Sequence, residues 1–144
     1  MSGKIDTESA QEAYELVRND TTPETWALLK YTDNKEIVLH RTGTDYDDML
    51  SEFGEEERLY GYVRLEVGDE LSKRAKFVLI TYIGQKVSPL KKAAVSTDKA
   101  FVKMVFSQFQ VEILADTLAD VSKDKVEDRV RKAGGANYGT GVRD

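Results

Sequence analysis

The chain has 144 residues, 40% hydrophobic and 33% charged, with a formal net charge of −5 and no cysteine. That length supports one domain burying about 70% of its unfolded surface. The missing cysteine excludes disulfides, thiolate zinc sites and thiol nucleophiles, and fits a reducing compartment.

Residues 6–18 read as a helix, with Ala10, Ala13, Tyr14 and Val17 at helical spacing behind a good N-cap, Asp6. Asn19 to Pro23 breaks it. Trp26 to Tyr31 reads as a strand, Asp33-Asn34-Lys35 as a tight turn, and Glu36 to Arg41 as the returning strand of a hairpin. Thr44 opens a short second helix. Asp45, Asp47 and Asp48 lie in its first turn, where the helix dipole favours anions, and Tyr46, Met49, Leu50 and Phe53 form its apolar side. Arg58 to Val67 is the third strand, with Val63, Leu65 and Val67 on one face and Arg64 and Glu66 on the other. Residues 68–72 connect it to a fourth strand, 76–84. That strand is apolar nearly throughout, as expected for one covered on both faces.

Ser88-Pro89 starts a third helix. Val95-Ser96-Thr97 predicts a kink or restart, since these are weak helix formers. The apolar side resumes with Phe101, Val102, Val105, Phe106 and Phe109. Val111 to Leu114 is the fifth strand. Residues 117–133 form the last helix, with Leu118, Val121, Val126, Val130 and Ala133 inward and Gly134-Gly135 as its stop. The order helix, hairpin, helix, hairpin, helix, strand, helix predicts an α/β (α+β) domain. Its centre is a mixed five-stranded sheet with two helices on each face, and strands four and five are parallel neighbours. The expected division is one domain over 1–135 and a flexible tail over 136–144.

No run approaches the ~18 apolar residues of a membrane span. The start, Met1 to Asp6, lacks the apolar stretch of a signal peptide and the myristoylation pattern. Catalytic, cofactor and metal sites find no support. His40 is the only histidine and has no partner constellation for general-base work. Asp45, Asp47 and Asp48 lack the glycine and the bidentate glutamate of a calcium loop. Gly139 and Gly141 lack the strand and helix that frame a phosphate loop.

Charge is the informative feature. Residues 71–110 carry eight Lys/Arg and one acid, Asp98, so that window is +7 and the remainder −12. Overall acidity argues against bulk nucleic-acid binding. Segregation on this scale predicts a face made for an acidic partner. Its densest part is Lys73-Arg74-Ala75-Lys76, a cationic loop leading into the fourth strand. Lys91, Lys92, Lys99 and Lys103 add to it. The last helix contributes Lys123, Lys125, Arg129, Arg131 and Lys132, interleaved with Asp124, Glu127 and Asp128. Read singly, each group is an edge-protecting turn or a solvated helix face.

Several motifs carry a resemblance: Lys4-Ile5-Asp6 with Ala13-Tyr14 and Leu16-Val17-Arg18, Leu29-Lys30-Tyr31, Tyr62-Val63-Arg64, Gly68-Asp69, Ser72-Lys73-Arg74-x-Lys76-Phe77, Thr97-Asp98-Lys99, and Lys132-Ala133-Gly134-Gly135-Ala136-Asn137-Tyr138. Through them the whole chain resembles the coactosin branch of the actin-depolymerising-factor homology (ADF-H, cofilin-like) superfamily. The terminal motif separates that branch from true cofilins. The resemblance implies a single ADF-H domain in a cytoplasmic, cytoskeletal, monomeric protein that binds the side of filamentous actin. It implies no enzymatic activity, cofactor, nucleic acid or membrane. By position, it implies a filament site at Lys73, Arg74 and Lys76, with Lys125, Arg129 and Lys132. The superfamily's monomer site uses the N-terminus and the long third helix, where a cofilin reads Pro-Leu-Lys-x-Lys-Met. Here Pro89-Leu90-Lys91-Lys92-Ala93-Ala94 lacks the second lysine and the methionine. Filament binding without severing is therefore expected. A cofilin-like severing or monomer-binding protein, and a scaffold for another cytosolic protein, are the alternatives.

Overall fold

Alternation along the strands and helical spacing between them create two apolar layers. A computed structural model, describing residues 4–69 and 72–138, shows both filled. The elements are α1 (Thr7–Arg18), β1 (Trp26–Tyr31), β2 (Ile37–Gly43), α2 (Tyr46–Leu50), β3 (Arg58–Asp69), β4 (Ser72–Ile83), α3 (Pro89–Val105), β5 (Val111–Ala115) and α4 (Lys123–Tyr138). The five strands form one sheet in the order β2-β1-β3-β4-β5. β4 and β5 are parallel and the other pairs antiparallel. This is the mixed sheet expected from the element order, with α3 as the crossover that a parallel pair requires.

The two faces carry different helices. On one, Ala10, Ala13, Tyr14 and Val17 of α1 and Val95, Val102 and Val105 of α3 meet Leu29, Tyr60, Tyr62, Phe77 and Leu79. On the other, Tyr46 and Met49 of α2 and Val126 and Val130 of α4 meet Leu28, Val63, Leu65, Val78, Ile80 and Ile113. From Phe77 to Tyr82, β4 is buried on both sides because it feeds both layers. Tyrosine hydroxyls tie the layers to the backbone: Tyr46 Oη donates to the Val121 carbonyl at 2.7 Å. Trp26 Nε1 donates to the Asp45 carbonyl at 2.9 Å.

Four local expectations need correction. α3 runs unbroken through Val95-Ser96-Thr97. Helix propensity separates ordinary residues by at most about 0.7 kcal/mol, whereas burying a valine stabilises by about 1.5–3 kcal/mol; Val95 and Val102 are both buried, so packing wins. The N-cap position of α2 is Asp45 rather than Thr44, with no capping bond from its side chain; the Thr44 carbonyl accepts from Thr25 Oγ1 at 3.1 Å. The last helix is split into a 3-10 turn, Leu118–Val121, and α4; Leu118 is exposed rather than inward. Finally, α4 passes through Gly134 and Gly135 to Tyr138. Of the described glycines only Gly68 has positive φ, at 124°, so these two keep helical backbone and do not form a left-handed cap. Residues 139–144 of the expected tail lie outside the described residues, as do 70 and 71 of the connection between the third and fourth strands.

Candidate functional site

The sequence places its cations in a loop before β4, but the fold places them in a strand. β3 and β4 pair from Arg58↔Ile83 out to Asp69↔Ser72. β1 covers β3 only from Leu59 to Val63, and β5 joins β4 only from Val78 onward. The end of the hairpin therefore extends past the sheet as a two-stranded arm carrying Lys73, Arg74 and Lys76. Their register partners are Gly68, Val67 and Leu65. At the base of the arm, the Gln110 side-chain oxygen accepts from the Phe77 amide at 2.7 Å, and the Gln110 amide donates to the Phe77 carbonyl at 2.9 Å. A paired backbone holds a charge in place better than a loop does.

Alternation decides where these side chains go. Val78, Ile80 and Tyr82 join the core under α2 and α4, so Arg74 and Lys76, of the same parity, project on the α4 side. Lys73 is placed by its backbone alone. On α4, Val126, Val130 and Ala133 turn inward. At about 3.6 residues per turn, Lys125, Arg129 and Lys132 then line one flank. That flank faces β5: Arg129 Nη2 donates to the Glu112 carbonyl at 3.3 Å, and Lys125 and Arg129 border a shallow hollow with Ile113 and Leu114. At the start of α4, Lys123 and Glu127 border a hollow with Leu65 and Glu66 of β3, beside the base of the arm. Arg74, Lys76, Lys132, Arg129 and Lys125 thus form a cationic band on one side of the sheet. Lys132 Nζ pairs with Asp128 at 3.0 Å; among the described residues, no ion pair engages the other four.

The rest of the +7 window does not belong to this band. Lys99 and Lys103 of α3 both hold Glu112, at 3.1 and 2.7 Å. Burial alone would raise the Glu112 carboxyl, but hydrogen bonds from Lys103 and Lys99 outweigh it and leave its pKa below the usual range. Lys86 pairs with Glu55 at 3.1 Å. Lys91 and Lys92 lie exposed in the first turn of α3. Asp98, the window's one acid, is buried and accepts from Tyr31 Oη at 2.9 Å. Linear charge density therefore overstates the continuous face, because folding brings acids from other segments against part of it.

The cofilin/tropomyosin-type actin-binding protein family matches residues 4–131. The chain belongs to this family of actin-binding proteins, in its coactosin branch. Human coactosin-like protein is 40% identical over 138 residues, 96% of each chain. Coactosin of Dictyostelium discoideum is 39% identical over 128 residues, 88% of each. Crystal structures of human coactosin-like protein superpose with a TM-score of 0.86 at 37% identity, covering 91% of this chain and 99% of that one. The solution structure of mouse coactosin, described as an actin filament binding protein, gives 0.79 at 38% identity, covering 99% and 100%. Family membership agrees with the sheet, its strand parity and the helix pairing described above.

Sequence reading missed two apolar residues beside the band. Leu114 is 68% exposed and Leu118 49% exposed. The signal for Leu114 was present. In a strand whose Val111, Ile113 and Ala115 are inward, Leu114 must share the outward face of Glu112. A third exposed apolar group, Leu90, Phe101 and Met104, runs along α3. Phe101 and Met104 border a hollow with Lys4, Ile5 and Gln11. Among the described residues, no group of three or more His, Asp or Glu is placed to hold a metal. No described helix is long and apolar enough to cross a membrane.

Proposed function

We propose that this chain binds the side of actin filaments through Lys73, Arg74 and Lys76 of the β3–β4 arm and Lys125, Arg129 and Lys132 of α4, and that it does so without severing or depolymerising them. The observation that carries this reading is the projecting arm. It holds cations on a paired backbone and continues them onto the flank of α4. An acidic protein with one cationic band is steered and oriented by an acidic actin surface, while its remaining surface discourages non-specific adhesion. The role is binding rather than catalysis. It fits a monomeric cytoplasmic protein associated with the cytoskeleton, with no nucleic-acid or membrane partner.

The non-severing part rests on α3. Cofilin-like severing needs a second grip, and here Ala93 and Ala94 stand where that grip has a lysine and a methionine. Co-sedimentation with filaments, in parallel with gel filtration against monomeric actin, tests the reading. Pelleting with filaments and no monomer complex at micromolar concentration is expected. Single-filament imaging should show decoration without added breaks; frequent breaks at decorated sites would overturn it. A cofilin-like second reading has one observation in its favour: Leu90 and Met104 leave an apolar stripe exposed on α3, which a monomer could cover. A stable complex with monomeric actin, lost in Met104→Ala, would favour that reading.

A further inference from the structure

We infer that Leu114 is the apolar anchor of the filament-binding surface, seating in an apolar recess on actin whose rim is acidic. The inference rests on the filament reading above and deepens it. An exposed leucine alone is ordinary; its place is what distinguishes this one. Leu114 stands on β5, the edge strand, in register with Thr81 of β4. It borders two hollows at once. One is shared with Lys125 and Arg129 of α4, the other with Ile83 and Lys92. It is thus an apolar ridge flanked by cations from α3 and α4.

Asp116, Asp120 and Asp128 also line these hollows, but two of them are already engaged. Asp128 holds Lys132, and Asp120 accepts from the Asp116 amide at 3.2 Å. That second bond also braces the turn from β5 to Leu118, so the apolar pair Leu114 and Leu118 stands on a fixed backbone. Leu114 itself projects on the α3 face of β5, with Glu112, and meets Lys125 and Arg129 of the proposed surface across the open edge of that strand. Arg129, bonded to the Glu112 carbonyl, lies between Leu114 and the arm, and five residues of β4 separate Thr81 from Lys76, roughly 17 Å at strand rise. Both therefore fit under one partner of ordinary footprint. Exposed cations set orientation and encounter rate, but a central apolar side chain that loses its water on docking sets the lifetime.

The test is filament co-sedimentation of the full chain at about 0.05 and 0.2 M salt. Leu114→Ala should weaken binding about tenfold at both, leaving the ratio between the two salts as in the parent. Lys76→Ala should reduce that ratio. Leu114→Met, similar in size and apolar, should keep the parent affinity. If Leu114→Ala pellets like the parent while Lys76→Ala does not, the anchor is refuted and the filament reading stands. Loss in Leu114→Met equal to that in Leu114→Ala also refutes it, since apolar burial would not then be the cause. A parent chain that fails to pellet at either salt refutes the filament reading itself.

Discussion

Replacing Lys76 with alanine removes one cation from the arm without removing a core side chain. Lys76 is partly exposed and lies opposite Leu65 in the β3–β4 ladder. Two limits bracket the effect. A solvent-exposed ion pair contributes about 0.2–1 kcal/mol. Truncating one partner of a desolvated interfacial pair costs about 2–5 kcal/mol. Lys76 sits between these limits: its backbone is already ordered by the ladder, so little entropy opposes its contact, yet its head remains hydrated until docking. A loss of about 1.5–3 kcal/mol follows, roughly ten- to 150-fold in affinity. The assay is filament co-sedimentation at about 0.1 M salt, with thermal unfolding to verify that the midpoint is unchanged. Lys99→Ala is the control. Lys99 belongs to the same cationic stretch of sequence, but its charge is engaged by Glu112 at 3.1 Å, so its loss should change affinity less than about twofold. A folded Lys76→Ala chain that pellets within twofold of the parent would refute the placement of the site. Equal losses in both variants would mean that overall charge, and not the arm, drives binding.

Two further outcomes concern stability. Asp98→Ala removes the buried acceptor of Tyr31 Oη, itself 2.8 Å from Tyr60 Oη, and leaves Lys4 without a carboxylate now 3.8 Å away; urea unfolding should show a loss of about 2 kcal/mol, with Asp98→Asn recovering much of it, and an unchanged midpoint would refute the network's role. In acid, Glu52 should matter. Hydrogen bonds from Arg41 and then His40 hold its folded pKa below the usual value near 4.5. A carboxyl depressed on folding contributes stability that is fully present above its unfolded pKa and is lost as pH falls through the folded one. Urea midpoints should therefore drop below about pH 4.5, and Glu52→Gln should flatten that drop; parallel curves for parent and variant would refute it.

Much of the fold was legible in the residues. Asp6 does cap α1 through the Ser9 amide, and Ser88 with Pro89 does open α3. The apolar run of β4 specifies a strand covered on both faces, and period-two alternation marks the C-terminal half of β3 as a strand. These signals are local: each depends on a side chain and neighbours within a few positions. The cations of the candidate site were legible for the same reason, as a cluster in the chain.

What escaped the sequence depends on contacts between distant segments. Whether α3 breaks at Ser96-Thr97 is decided by burial of Val95 and Val102 against the sheet. The exposure of Leu118 follows from the 3-10 turn that ends in buried Val121. Whether Lys99 and Lys103 face a partner or their own protein is decided by Glu112, which β5 delivers from outside the cationic window. The sequence alone determined the order of the principal helices and strands, the strand that lies at the heart of the sheet and the residues carrying positive charge. Only tertiary structure decided which of those charges remain outward, because a charge can be neutralised by a residue any distance away in the chain, and pairing in space leaves no periodic trace in the order of amino acids.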